Sequence, residues 1–260
     1  MKIVRSLNAS RTRSKPISLP RFFVEGIHGA GDEVELRGGD ARKLTVVLRK
    51  ADGDEVEIVD SGGGAFKAML IVESGRVRAR LTEALAPPAV ETLQIVLAQA
   101  IPKASKMDYV VEKATELGVT RIIPVLTERT AGTFARAGKT ERWRRLARSA
   151  AQQSGRRDVP EIDEASTWDE FCAQLATFDR TLIPWELAEP VPLRDRLPEL
   201  LAGVRSVAIA IGPEGGFGHA EVERATDAGA LTISLGRRIL RTETAGLVVC
   251  GILRYAAGDL

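Results

Sequence analysis

Residues 207–251 read VAIAIGPEGGFGHAEVERATDAGALTISLGRRILRTETAGLVVCG. The apolar run at 207–211 has the pattern of a buried strand. It ends in Gly212-Pro213-Glu214-Gly215-Gly216-Phe217, ahead of a helix-like segment. A second short apolar run, 231–235, ends in Gly236-Arg237-Arg238-Ile239-Leu240-Arg241, and an apolar helix follows from Thr242. Two glycine-containing turns therefore sit just past two strand C-termini, where open α/β sheets bind small ligands. Glycine lets backbone N–H groups approach a ligand with no Cβ in the way, so the pair reads as a cofactor pocket.

Upstream of this stretch the chain alternates strand and helix as far back as residue 93, which implies an α/β domain with a mostly parallel sheet covered on both faces. Strands are predicted at 93–98, 121–126 and 180–183, and helices at 104–117, 141–153, 168–176 and 193–202. In the first helix Met107, Val110, Val111, Ala114 and Leu117 form one apolar stripe, and Gly118 stands at the end cap. The stretch 245–253 lacks a polar face and reads either as a buried helix or as half of a dimer interface. Pro87-Pro88 reads as a stiff linker. Ahead of it, strands at 21–24, 33–36, 55–60, 65–72 and 77–82, with a helical piece at 40–48, suggest a small β-barrel. Asp60-Ser61-Gly62-Gly63-Gly64 is a hairpin turn and not a phosphate loop, because no Lys-Ser/Thr follows it.

Composition narrows the chemistry. The chain has 260 residues, 44% hydrophobic and 28% charged, which fits an ordinary globular protein. No apolar run approaches the ~20 residues of a membrane span. Cys172 and Cys250 read as buried free thiols of a cytoplasmic protein, and with only His28 and His219 beside them no metal ligand set exists. No G-x-G-x-x-G follows the strand at 93–98, and G-x-x-x-x-G-K-[ST], C-x-x-C and G-x-S-x-G are all missing. The net charge of +2 hides two basic clusters. One is Lys2, Arg5, Arg11, Arg13, Lys15 and Arg21. The other is Arg136, Lys139, Arg142, Arg144, Arg145, Arg148, Arg156 and Arg157, opposed by Glu141 alone. They suggest either a polyanion-binding face or a solvated helix face with an N-terminal tail.

The two glycine turns, with Leu235 through Ala245 (LGRRILRTETA), resemble the ribosomal RNA small subunit methyltransferase E family. These are 16S rRNA uracil-N3 methyltransferases of the SPOUT superfamily. Further matching blocks are Lys106-Met107 through Lys113-Ala114-Thr115-Glu116-Leu117-Gly118, Glu128-Arg129, Gln153-Ser154-Gly155-Arg156, Val159-Pro160-Glu161-Ile162, Arg21-Phe22-Phe23 and Val47-Leu48-Arg49. Lys43 and Asp158 depart from the family pattern, which often has His at the first position and a basic residue at the second.

The resemblance implies a basic tail (1–19), a PUA-like barrel holding RNA (20–86) and a SPOUT methyltransferase domain (89–260). The last would carry a C-terminal trefoil knot and form a homodimer. It implies S-adenosylmethionine among three loops, on Leu182, Ile183, Pro184, Gly212, Pro213, Glu214, Gly215, Gly216, Leu235, Gly236, Ile239, Leu240 and Thr244. RNA contacts would fall on Arg21, Arg49, Lys106, Arg129, Arg145, Arg148 and Arg156. Uracil N3 becomes a good nucleophile only once its proton leaves. Arg241 would stabilise the developing oxygen charge, and Glu243 or Glu116 would take the proton. The implied partner is 16S rRNA within an assembled or nearly assembled small subunit, with no metal and no membrane. The alternatives are a related SPOUT enzyme acting on ribose 2′-OH of tRNA, and a non-catalytic RNA-binding protein.

Overall fold

The computed structural model describes residues 19–73, 75–87, 92–130, 138–189, 191 and 193–260. Most of the basic tail, Pro88 of the predicted linker and Arg136 of the basic cluster lie outside these. Five strands come first: β1 (Arg21–Phe23), β2 (Glu33–Leu36), β3 (Glu55–Val59), β4 (Ala65–Glu73) and β5 (Arg76–Ala84). They pair in the order β1-β3-β4-β5-β2, antiparallel except for the parallel β1–β3 pair. Among the described residues the two ends of this path, β1 and β2, do not pair. The predicted 60–64 turn joins β3 to β4, with the Asp60 carboxylate accepting from the N–H groups of Gly62 and Gly64. The helical piece is a short α1 (Gly38–Arg42) that widens into a π-helical turn, Lys43–Val47. Phe22, Leu44, Ile58, Leu70 and Leu81 fill the core of this unit.

The second sheet holds β6 (Gln94–Ala100), β7 (Arg121–Leu126), β8 (Glu161–Ile162), β9 (Ser166–Thr167), β10 (Arg180–Pro184), β11 (Ser206–Ile211) and β12 (Leu231–Ile233). Its order is β12-β10-β11-β6-β7-β8, with β9 also on β7, and every pair is parallel. The alternation of strands with helices α2 (Lys106–Glu116), α3 (Lys139–Ser154), α4 (Trp168–Ala173), α5 (Leu193–Leu201), α6 (His219–Asp227) and α7 (Thr242–Ala257) requires this. Ile95, Leu97, Ile122 and Ile209 face α2, α3, α5 and α7. Val96, Ala98, Ile123 and Ala210 face α4 and α6 on the opposite side. Strands covered on both faces are apolar at successive positions, which is why they were legible as runs. Burial pushes the Cys172 thiol up to about 11 and the Cys250 thiol to about 12.

At the lower end of the sheet, Arg254 is only 2% exposed. It donates to the Leu93 and Gly118 carbonyls and pairs with Asp259. Gly118 ends α2 at φ +82, and a Cβ there would lie 2.8 Å from the Arg254 Nε. Gly118→Ala combines left-handed strain of roughly 1–2 kcal/mol with displacement of that guanidinium. It is expected to lower the thermal midpoint clearly in calorimetry. An unchanged midpoint would mean that the Arg254 seat carries no stability.

Candidate active site

The parallel sheet delivers the loops that follow β6, β7, β10, β11 and β12 to one end of the domain. The residues 212–217 turn leaves the central strand β11, folded by the Gly216 N–H to Pro213 carbonyl bond at 2.9 Å. Gly216 has φ +70, and a Cβ on it would meet the Glu186 carboxylate at 3.1 Å. A side chain there would fill the cradle between the β10 and β11 loops. The second turn has Gly236 at φ +92 and runs into α7.

One hydroxyl fastens the start of α7 to the first turn. The buried Thr242 Oγ1 donates to the Gly212 carbonyl at 2.6 Å and accepts from the Gln99 Nε2 at 2.9 Å. Gln99, on β6, is fully buried and also donates to the Ala100 carbonyl. Four residues along α7, Gly246 lies so close to the sheet that a Cβ would meet Leu97 at 3.1 Å and Ile211 at 3.3 Å. A further fastener is the buried Glu221 carboxylate at the N-terminus of α6, a position that suits an anion. It accepts from the N–H groups of Gly218 and Glu128, both at 2.9 Å, and so joins the loops after β11 and β7.

The charged residues beside the turns form a small network. The Lys106 ammonium lies 3.2 Å from Glu214 and 3.3 Å from Glu243. The Lys103 N–H also donates to Glu214. The hydrogen bond that the Lys106 ammonium donates to Glu214 raises the lysine's pKa, against partial desolvation, and Glu243 adds to the rise. Burial works to raise the Glu214 pKa, but its own N–H, that of Lys103 and the Lys106 ammonium outweigh it, so the carboxyl is held below its ordinary range. Arg241 extends into solvent with its side chain 83% exposed, 4.0 Å from Glu243.

The sequence-predicted residues divide into three groups. Pro213, Glu214, Gly215 and Gly216 come together with Lys106, Arg129 and Glu243, and Leu235, Gly236, Ile239 and Leu240 lie in the loop after β12, which β10 separates from β11. Ile239 is 90% exposed, and Thr244 is exposed on the first turn of α7. Leu182 and Ile183 are wholly buried in β10, so only Pro184 reaches the loop end of that strand. Glu116 sits ten residues along α2 from Lys106, about 15 Å away at 1.5 Å per residue, and is paired with Lys113. It is therefore apart from the other candidate carboxylates of this chain.

The basic residues are mostly fasteners. Arg21 and Arg157 share Glu57, at 2.7 and 3.1 Å, and Arg21 also donates to the Gly155 carbonyl. Arg148 donates to the Phe23 carbonyl and stacks over the Phe23 ring at 5.5 Å. Arg156 donates to the Thr115 and Val119 carbonyls and pairs with Asp158, which explains an acidic residue at that position. Lys43 reaches Gln152 of α3 at 3.1 Å. Arg145 and Arg49 are exposed, Arg49 at the left-handed φ of +52. Gln99, Thr242, Glu221 and Lys103 escaped the sequence reading. The glutamine that interrupts the apolar run of residues 95–101, IVLAQAI, was the available signal for the first.

The sequence model of a family described as an RNA methyltransferase domain matches residues 89–254. The ribosomal RNA small subunit methyltransferase E of Synechocystis is 34% identical over 83% of this chain and 70% of its own. Its counterpart from Neisseria gonorrhoeae, solved bound to S-adenosyl methionine, superposes with a TM-score of 0.82 at 30% identity, covering 91% of this chain and 97% of that one. A methyltransferase from Legionella pneumophila, in complex with the same cofactor, gives a TM-score of 0.83 at 30% identity over 92% and 98%.

The Lys106 network makes a pH prediction. Glu214 contributes stability present above its ordinary pKa of 4.5 and lost as pH falls through its depressed value. Lys106 contributes stability present below its ordinary 10.5 and lost as pH rises through its raised value. The melting-temperature gap between the native chain and Lys106→Ala should be widest between these limits and close toward both extremes. A gap of constant size from acid to alkali would show that the ion pairs are not its source.

Proposed function

Because the chain belongs to the ribosomal RNA small subunit methyltransferase E family of RNA methyltransferases, we propose that it methylates N3 of a uridine in 16S rRNA of the small ribosomal subunit. It is an S-adenosylmethionine-dependent rRNA methyltransferase. The observation that carries the reading is the Thr242 hydroxyl, which holds the start of α7 to the residues 212–216 turn. That contact ties the helix that follows the second glycine turn to the first turn, which supports reading the two as one site.

The residues present fit the cofactor. Gly216 leaves open a space that any Cβ would fill against Glu186. Ile239, among the basic Arg237, Arg238 and Arg241 in sequence, is 90% exposed, an apolar side chain in want of an apolar ligand face. When bound, S-adenosylmethionine supplies an electrophilic methyl group. The turn backbones at 212–216 and 235–240 would hold it, and Ile239 and Leu240 would supply the apolar surface for its adenine. Arg241 offsets negative charge developing on a uracil oxygen. Glu243 is the carboxylate placed to accept the N3 proton, and Lys106 beside it compensates its charge.

The same reading extends to the architecture. The five-stranded unit, 20–86, is a PUA-like barrel that holds RNA, and 89–260 is the methyltransferase domain. The passage from the edge strand β12 back to α7, which packs on the central strands β6 and β11, is the C-terminal knot. Helix α7 buries Val249, Cys250 and Leu253 inward and leaves Thr244, Val248 and Tyr255 exposed, and this outer face forms the homodimer. No helix among the described residues is long and apolar enough to cross a membrane. The site of action is the cytoplasm, on the assembled or nearly assembled subunit.

Purified small subunits lacking the modification, incubated with the protein and cofactor, should yield 3-methyluridine in 16S rRNA by nucleoside mass spectrometry. Methyl groups on ribose oxygens of tRNA would instead assign a different branch of the enzymes. Arg241→Ala should slow single-turnover methylation by on the order of 10²–10³. Its melting temperature should hardly move, because so exposed a side chain contributes little to stability. Full turnover in that variant would remove Arg241 from the chemistry.

A further inference from the structure

The residues 212–216 turn has two flanks, because it leaves the central strand β11. One flank faces the loops after β10 and β12, where the proposed function puts the cofactor. The other faces the loops after β6 and β7, and there the structure has a cavity of about 370 Å³. Its walls are Ile101, Pro102, Lys103 and Ala104 after β6, Arg129 and Thr130 after β7, Lys139 at the start of α3, and Pro213, Glu214 and Gly215. None of the cofactor residues of the β10 and β12 loops lines it.

We propose that this cavity receives the extruded target nucleotide, its phosphate on Lys103 and Arg129 and its base over the Pro213–Gly215 turn, on the side where Lys106 links Glu214 to Glu243. The inference rests on the methyltransferase reading and specifies where the RNA enters. A base cannot be methylated at N3 inside a duplex, because that edge is occupied by pairing, so the nucleotide must be swung out into a pocket. The cavity volume falls at the small end of the ~300–1,000 Å³ typical of ligand sites, which suits one extruded nucleotide and not a helix.

The charges fit a phosphodiester. Lys103 is exposed, and among the described residues its ammonium has no carboxylate partner. Among the described residues Arg129 makes a single hydrogen bond, a long one of 3.5 Å to the Gly216 carbonyl, which leaves most of its planar donor fork unused by them. A guanidinium with free donors is suited to bidentate phosphate binding. Glu214, the acidic group in the wall, is already occupied by Lys106 and the Lys103 N–H, so its charge is compensated within the protein.

Two backbone features serve this arrangement. A Cβ on Gly215 would lie 3.0 Å from the Arg129 Cδ and 3.1 Å from its Nη1, so a larger residue would displace the arginine from this position. The glycine thus lets the arginine lie flat across the turn. Ala104 holds φ +57, a conformation costly for a residue with a side chain. Such strain collects where a loop is shaped for a ligand, and here it lies in the loop that presents Lys103.

The test is the pair Lys103→Ala with Arg129→Gln, the glutamine retaining the stem over Gly215. The substrate is the intact small subunit, and cofactor affinity is measured separately by calorimetry. The expected result is a KM for subunits raised at least tenfold. Cofactor Kd should be unchanged, and each lost phosphate contact should lower the log–log salt slope of RNA binding by roughly 0.7–0.9. Native-like KM and salt slope in the variant would overturn the inference while the wild type remained active. An equal loss of cofactor affinity would also overturn it, by assigning the cavity to the cofactor. A wild-type protein unable to methylate subunits would instead overturn the parent reading, and is told apart because it needs no variant.

Discussion

The site depends on one buried hydrogen-bonded chain, from the Gln99 amide to the Thr242 hydroxyl to the Gly212 carbonyl. Gln99 and Thr242 are 143 residues apart, and Thr242 and Gly212 are 30 apart. The chain therefore joins the first strand of the parallel sheet, the turn after the central strand, and the helix that ends the fold. A buried donor left without its acceptor costs about 1–3 kcal/mol, so these three segments hold each other in register. Gly246 makes the approach possible by letting α7 lie against β6 and β11 with no side chain between.

Charge plays two separate roles in this molecule. Along α3 and the segment after it, arginines clamp the five-stranded unit onto the α/β unit, chiefly through carbonyl oxygens and the shared Glu57. Those cations have partners within the protein. At the loop end of the sheet the arrangement differs. Lys106 compensates two carboxylates, while Lys103, Arg129 and Arg241 have few or no partners among the described residues.

The parallel sheet was legible because strands buried on both faces are written as unbroken apolar runs, as in VAIAI before Gly212. Helix α2 was legible from its stripe of Met107, Val110, Val111 and Ala114. The two-residue strands β8 and β9 carry too little pattern to be seen, and they exist because β7 offers them an edge. Lys43–Val47 read as helix, and its widening into a π-helical turn has no signal in those residue types. The turns of the site were visible as glycines after strands. What held them together was not, since Gln99 and Thr242 acquire meaning only through each other. Glu116 and Glu243 looked equivalent as carboxylates in helices, yet they stand near opposite ends of two helices packed side by side.

The central claim is that Thr242 assembles the two turns into one cofactor site. The direct measurement is the S-adenosylmethionine affinity of Thr242→Val by calorimetry, since valine keeps the shape and removes the hydroxyl. The account predicts at least a tenfold weaker Kd, the equivalent of about 1.4 kcal/mol, in a protein that remains folded at the temperature of the titration. A folded variant that binds the cofactor as tightly as the native chain would contradict it.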